Sequence, residues 1–481
     1  MATQEYLPPT FGRPFIPDMT THSEQEPLLR PAQYEEVYRR FSPTKKRMIV
    51  AIASLTGLLP PFVSGTFVPS IPQIAKDLNS TGAVVSLAVS LSVLATSLGS
   101  LLGSSYSSFY GRKPVYLTGT PLLFLGSLGL ASAQTISHLM VWRFIQAVGA
   151  SPDLAVGSGV MGDIYRVEER GQAMGIFFSA TLFGSALAPF AGGLATHYFS
   201  WRFMQLCLGF MGLGIFFCIL IFFPETYHPG ERGVEKADPA SLPSWRPILI
   251  NPLRPLWLLK SPNLLAVTLA GFTALLTDYV FLTPLAYTIG ARYGITNEAL
   301  IGACFLPAGL GHILGAPLAG RVSDQVITSY RKGRGEIWHP EDRLRATIVG
   351  TLFFVPLSIL FSGLLIEYVP GRAGLVLNLI CLFVNGIGIE FVLTPSASYV
   401  VDVMHSKSAE AMAANNGFRS IVMSIAVAFI LPMVQKYGAA ITDTIAATLS
   451  WIGFGFIWMT IAYGDRLRSM VDVGFSTAYN N

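Results

Sequence analysis

Twelve stretches of roughly 20 apolar residues constrain this chain more than any other feature. They lie near 48–70, 84–106, 115–134, 137–162, 172–196, 203–223, 264–290, 299–319, 346–366, 373–399, 411–434 and 440–462. A helix of about 20 residues crosses a hydrocarbon core of about 30 Å, and it satisfies its own backbone polar groups where no water can. With 52% apolar and 12% charged residues and a mean hydropathy of +0.52, the chain falls outside the soluble range. The expectation is an all-α integral membrane protein with twelve transmembrane helices.

Charge sets the expected orientation. Most of the 32 basic residues fall in alternate loops, among them Lys45, Lys46, Arg47, Arg112, Lys113, Arg331, Lys332 and Arg334. Lys76, Arg202, Arg292, Arg372 and Lys436 occupy the other set. The positive-inside rule then places both ends of the chain in the cytoplasm. A net charge of +4 spread over loops forms no patch for nucleic acid, so the expected partners are the bilayer, protons and a small molecule. Asn79-Ser80-Thr81 is a glycosylation sequon in the first outer loop, compatible with this orientation.

Cys207, Cys218, Cys304 and Cys381 all lie in apolar spans without metal spacing, which predicts packing roles and neither a metal nor a cofactor. Residues 1–46 read as a disordered cytoplasmic tail without a cleavable signal. Residues 47–224 and 264–464 form two six-span halves, joined by a Pro-rich cytoplasmic linker over 225–263 and followed by a tail at 465–481. The plasma membrane is the expected location. The string Glu24-Gln25-Glu26-Pro27-Leu28-Leu29 resembles an acidic dileucine sorting signal and keeps a vacuolar or endosomal membrane as the alternative.

Several polar residues interrupt the spans. Pro60, Pro61, Pro69 and Pro72 must break the first one, as a cavity-lining segment or as a kink. Arg143, Gln146 and Asp153 fall in the fourth, Asp278 in the seventh, Glu390 in the tenth and Arg419 in the eleventh. Intramembrane charges mark transport or proton pathways by default. Asp153 is the first expected proton site, because desolvation makes a mid-membrane carboxyl easier to protonate; capping a break at Pro152 is its structural alternative. His312, in the eighth span, is expected to be a packed helix residue. The stretch from Gly175 to Gly193 carries Gly184, Ala188, Pro189, Gly192 and Gly193 at regular intervals, which favours close helix approach and bending.

These residues carry a family resemblance over about residues 45–465. Gly111, Arg112 and Lys113 are similar to the cytoplasmic loop motif of the major facilitator superfamily, with Ser108 in place of its acid. Arg143, Gln146 and Gly149 resemble its fourth-span motif, and Asp163, Glu169 and Arg170 its next loop. Gly320, Asp324 and Asp402 repeat the pattern in the second half. The Gly175–Gly193 stretch resembles the antiporter motif of the superfamily's drug:proton antiporters, and fungal twelve-span exporters are the group it is most similar to. The resemblance implies two pseudo-symmetric six-helix bundles, alternating access, and a monomeric exporter, not an enzyme, that moves a drug, secondary metabolite or organic acid by proton antiport. A same-fold importer and a non-transporting nutrient sensor are the alternatives.

Overall fold

The computed structural model describes residues 38–165, 167–230, 232–236, 251, 253–335, 339–404 and 408–471; the side chains of 153–155, 167–172, 254, 408 and 409 also fall outside the description. The described chain is helical throughout. Eleven helical stretches are long and apolar enough to cross a membrane: Pro43–Asp77, Gly82–Tyr110, Arg112–Ala131, Ala173–Tyr198, Trp201–Phe222, Pro262–Gly290, Glu298–Gly333, Pro340–Tyr368, Gly371–Val403, Glu410–Tyr437 and Ala439–Met470. The expected fourth span is built differently. It consists of Ile136–Ala150 and Pro152–Ile164, separated at Ser151. At 1.5 Å per residue each half is only about 20 Å long, so neither crosses the core alone and the two together do. Pro152 has no N–H to give the preceding turn, which places the break there.

The first span is interrupted as its prolines require. Helices Pro43–Gly57 and Leu59–Gly65, a 3-10 turn Val68–Ser70 and helix Ile71–Asp77 follow one another. Elsewhere, Thr81, Thr135 and Ser200 accept hydrogen bonds from the first turns of spans two, four and six, and Asn297 does the same for span eight.

Three apolar clusters hold the bundles. One fills the first half around Tyr116, Leu123, Phe177 and Phe223. Another fills the inner end of the second half around Leu344, Tyr399 and Ile457. The largest joins the halves near the face that the charge bias assigns outside, with Phe67, Ile71, Ile74 and Trp201 from one side and Phe281, Leu285, Ile301, Phe305 and Val427 from the other. Among the described residues, the one ion pair between the halves, His197 with Glu298 at 3.1 Å, lies at the same face. Span two meets span eleven deeper down, where the Ser97 hydroxyl donates to the Gly417 carbonyl at 2.9 Å. The two halves are therefore in contact at that face.

Candidate transport site

Span four brings Arg143 and Gln146 onto one face, three residues apart. Both are fully buried. Arg143 Nη1 donates to Gln146 Oε1 at 2.8 Å, and Gln146 Nε2 donates to Ser127 Oγ and to Gln205 Oε1, each at 2.8 Å. The guanidinium lies 4.3 Å over the Phe67 ring, a cation–π contact that offsets part of its desolvation. Arg143 is thus neither snorkelling nor ion-paired among the described residues. Its Nε and Nη2, and Nε2 of Gln205, have no partner. The Asp153 side chain lies outside the described residues, as do those of Glu169 and Arg170.

The second half gathers the opposite charge. His312 on span eight sits between two acids: Nδ1 lies 3.0 Å from Glu390 Oε1 on span ten, and Nε2 lies 3.6 Å from Asp278 Oδ1 on span seven. The Thr394 hydroxyl donates to Glu390 Oε2 at 3.1 Å. The contact to Glu390 is within hydrogen-bond distance, whereas the longer one to Asp278 is electrostatic only. The expectation that His312 is a packed residue is corrected: it is the hub of the cluster, and its partners were invisible because they stand on other spans. Arg419 lies within electrostatic reach of Glu390, and its Nη2 donates to Asn416 Oδ1 at 3.1 Å. These three side chains, His312, Asp278 and Glu390, each keep a small exposed fraction, between 12% and 16%.

The glycine-rich fifth span is sandwiched between spans one and eight. A Cβ at Gly184 would meet Leu58 at 2.9 Å, and one at Gly192 would run into the Thr66 carbonyl. A Cβ at Gly193 would run into the Glu298 carbonyl of the other half, and one at Gly302 would meet the Pro189 carbonyl at 2.6 Å. Ala188 is fully buried and faces Gly65, so its methyl group fits because the glycine is on the other helix. Gly175 differs from the expectation of close packing, with no atom within 4 Å of a Cβ placed there.

Matching clamps close the inner ends of the two halves. Arg112 at the start of span three reaches Asp163 at the end of span four, Nε to Oδ2 at 2.9 Å. Glu225, after span six, accepts from the backbone N–H groups of Arg112 and Lys113 at 3.0 and 3.2 Å, where a carboxylate also meets the positive end of a helix dipole. Gly111 has φ +106°, and a Cβ there would press on Glu225. In the second half Arg343 repeats the bond, to Asp402 at 2.7 Å and to Asp324 at 2.9 Å. Gly320 makes no close approach. Ser127 and Gln205 escaped sequence reading; a lone amide inside an apolar span was the one signal available for Gln205.

A twelve-span helical bundle with paired inner clamps and buried charges in both halves defines a multi-pass membrane transporter. The Major Facilitator Superfamily model matches residues 53–427, and the chain belongs to that superfamily. It is a transporter, not an enzyme. It is 25% identical over 453 residues to the efflux pump radE of Floropilus chiversii, covering 90% of this chain and 82% of that one. Against the MFS-type transporter atr4 of Stereocaulon alpinum the identity is 28%, with 88% and 78% covered; against citrate exporter 1 of Aspergillus niger it is 24%, with 92% and 91% covered. The solved xylose transporter XylE of E. coli, in a partially occluded inward open conformation, superimposes with a TM-score of 0.63 at 13% identity, covering 86% of this chain and 97% of that one.

Proposed function

We propose that this chain exports a small organic molecule by proton antiport, the two halves rocking about a midplane site. The observation that carries the reading is His312 held between Asp278 and Glu390, with partial exposure, in the half that faces the seal. A proton entering when the outer side opens binds this cluster, and its release inward resets the cycle. Asp153 keeps its place as a second proton candidate on span four.

The fifth span supports the same reading. Its glycines let it lie against both span one and span eight at the outer seal, the contact that must part for outward release. Relatives named as an efflux pump and as a citrate exporter favour export, of a metabolite, drug or organic acid. The protein acts as a monomer in the plasma membrane under this reading, with the vacuolar or endosomal membrane as the alternative. Asn79, exposed in the first outer loop, is open to glycosylation there.

Flux in sealed vesicles under an imposed pH gradient, against a panel of hydrophobic drugs and carboxylic acids, tests the reading. Outward movement of a panel member driven by inward protons supports it. Co-directional movement with protons would make the chain an importer, and binding without flux would make it a sensor.

A further inference from the structure

Arg143 has an unusual environment even for an intramembrane arginine. It is fully buried, no carboxylate lies within ion-pair distance of it among the described residues, and two of its nitrogens have no acceptor. Gln146 spends its oxygen on Arg143 and its nitrogen on Ser127 and Gln205, which leaves Gln205 Nε2 as a third donor without a partner. Among the described residues, the site offers donors without acceptors or negative charge to meet them. The second half is the reverse, since it sets Asp278 and Glu390 beside His312.

We infer that Arg143, with Gln205 beside it, is an anion site that takes a carboxylate group of the cargo on its way out, so that the cargo is an organic acid. The lid is Phe67, stacked on the guanidinium and itself part of the apolar cluster that joins the two halves. Arg143 stands seven residues into its helix, about 10 Å below the outer end. Parting of the outer seal strips Phe67 of its partners from the second half and opens the guanidinium to the vestibule. A fork of unpaired N–H groups then meets the carboxylate in a bidentate pair. The proton and the anion would thus be handled in different halves, which lets the rocking motion couple them without direct competition. This inference rests on the export reading for its direction.

The test uses the purified full chain, with succinate and citrate as probes and succinamide as the uncharged control. Both carboxylates are expected to raise the melting temperature and succinamide to leave it unchanged. Arg143→Gln should abolish the shift and Arg143→Lys should retain a reduced one. Gln146→Glu places a carboxylate directly on Arg143 Nη1; it should raise the basal melting temperature and cancel the probe effect, which keeps the inference testable if Arg143→Gln does not fold. A probe shift surviving Gln146→Glu, no discrimination from succinamide, or no shift up to about a hundred times a millimolar Kd would each overturn it. In vesicles, efflux of citrate should fall at least tenfold in Gln146→Glu. If no panel member moves against the pH gradient while the carboxylate shift persists and depends on Arg143, the export reading fails and the anion site stands.

Discussion

Nδ1 of His312 lies 3.0 Å from Oε1 of Glu390, although 78 residues separate them in the chain. With Asp278 3.6 Å from the other ring nitrogen, one imidazole stands between two acidic side chains. Replacing the ring by Gln removes the group that bridges them. Removing one partner of a buried ion pair costs about 3–5 kcal/mol, and the partial exposure here places His312→Gln at the lower end. The expected result is a drop in melting temperature, largely recovered in His312→Gln/Glu390→Gln, and thermal unfolding in detergent measures both.

Arg112 and Asp163 are both nearly buried, with 13% and 10% side-chain exposure. A double-mutant cycle with Arg112→Ala and Asp163→Asn should give a coupling of about 1–3 kcal/mol. The symmetry of the clamps predicts a similar figure for Arg343→Ala with Asp402→Asn, measured by the same unfolding assay.

The fifth-span glycines separate into two kinds. Gly192→Val drives a side chain into the backbone of span one at Thr66 and should abolish transport or folded yield. Gly175→Ala meets no atom within 4 Å and should gain up to about 1 kcal/mol from helix propensity, with transport unchanged. Growth-based transport assays beside fluorescence-detected yield distinguish these outcomes.

Asp443 on span twelve is 4% exposed, lies against Gly363 of span nine, and pairs with no cation among the described residues. Burying a carboxyl without a cation costs far more as the anion than as the neutral acid. Asp443→Asn is therefore expected to fold at least as stably as the parent and to transport at the parent's rate, as unfolding and flux measurements will show.

The spans and their order were legible because membrane thickness imposes a length that composition reveals directly. The split at Pro152 was signalled by the residue itself, yet only the structure shows two half-helices in place of one bent one. Charge clusters were half legible: Asp278, Glu390 and Arg419 stand out against apolar surroundings, but the placement of His312 between two acids depends on how spans seven, eight and ten face one another. Motif spacing also overstated one residue, since Gly175 fits the pattern while packing against nothing. The unsatisfied nitrogens on Arg143 could be found only by following every hydrogen bond of Gln146.

Proton coupling through the His312 cluster is the central claim, and Glu390→Gln tests it most directly. The full chain in proteoliposomes, with a pH-sensitive dye inside, reports both exchange of a transported panel member at equal pH and its movement under a pH gradient. The account predicts that Glu390→Gln keeps equal-pH exchange within about threefold of the parent while gradient-driven flux falls at least tenfold, more than 1.4 kcal/mol of lost coupling. Gradient-driven flux and substrate-linked proton movement equal to the parent's would contradict it.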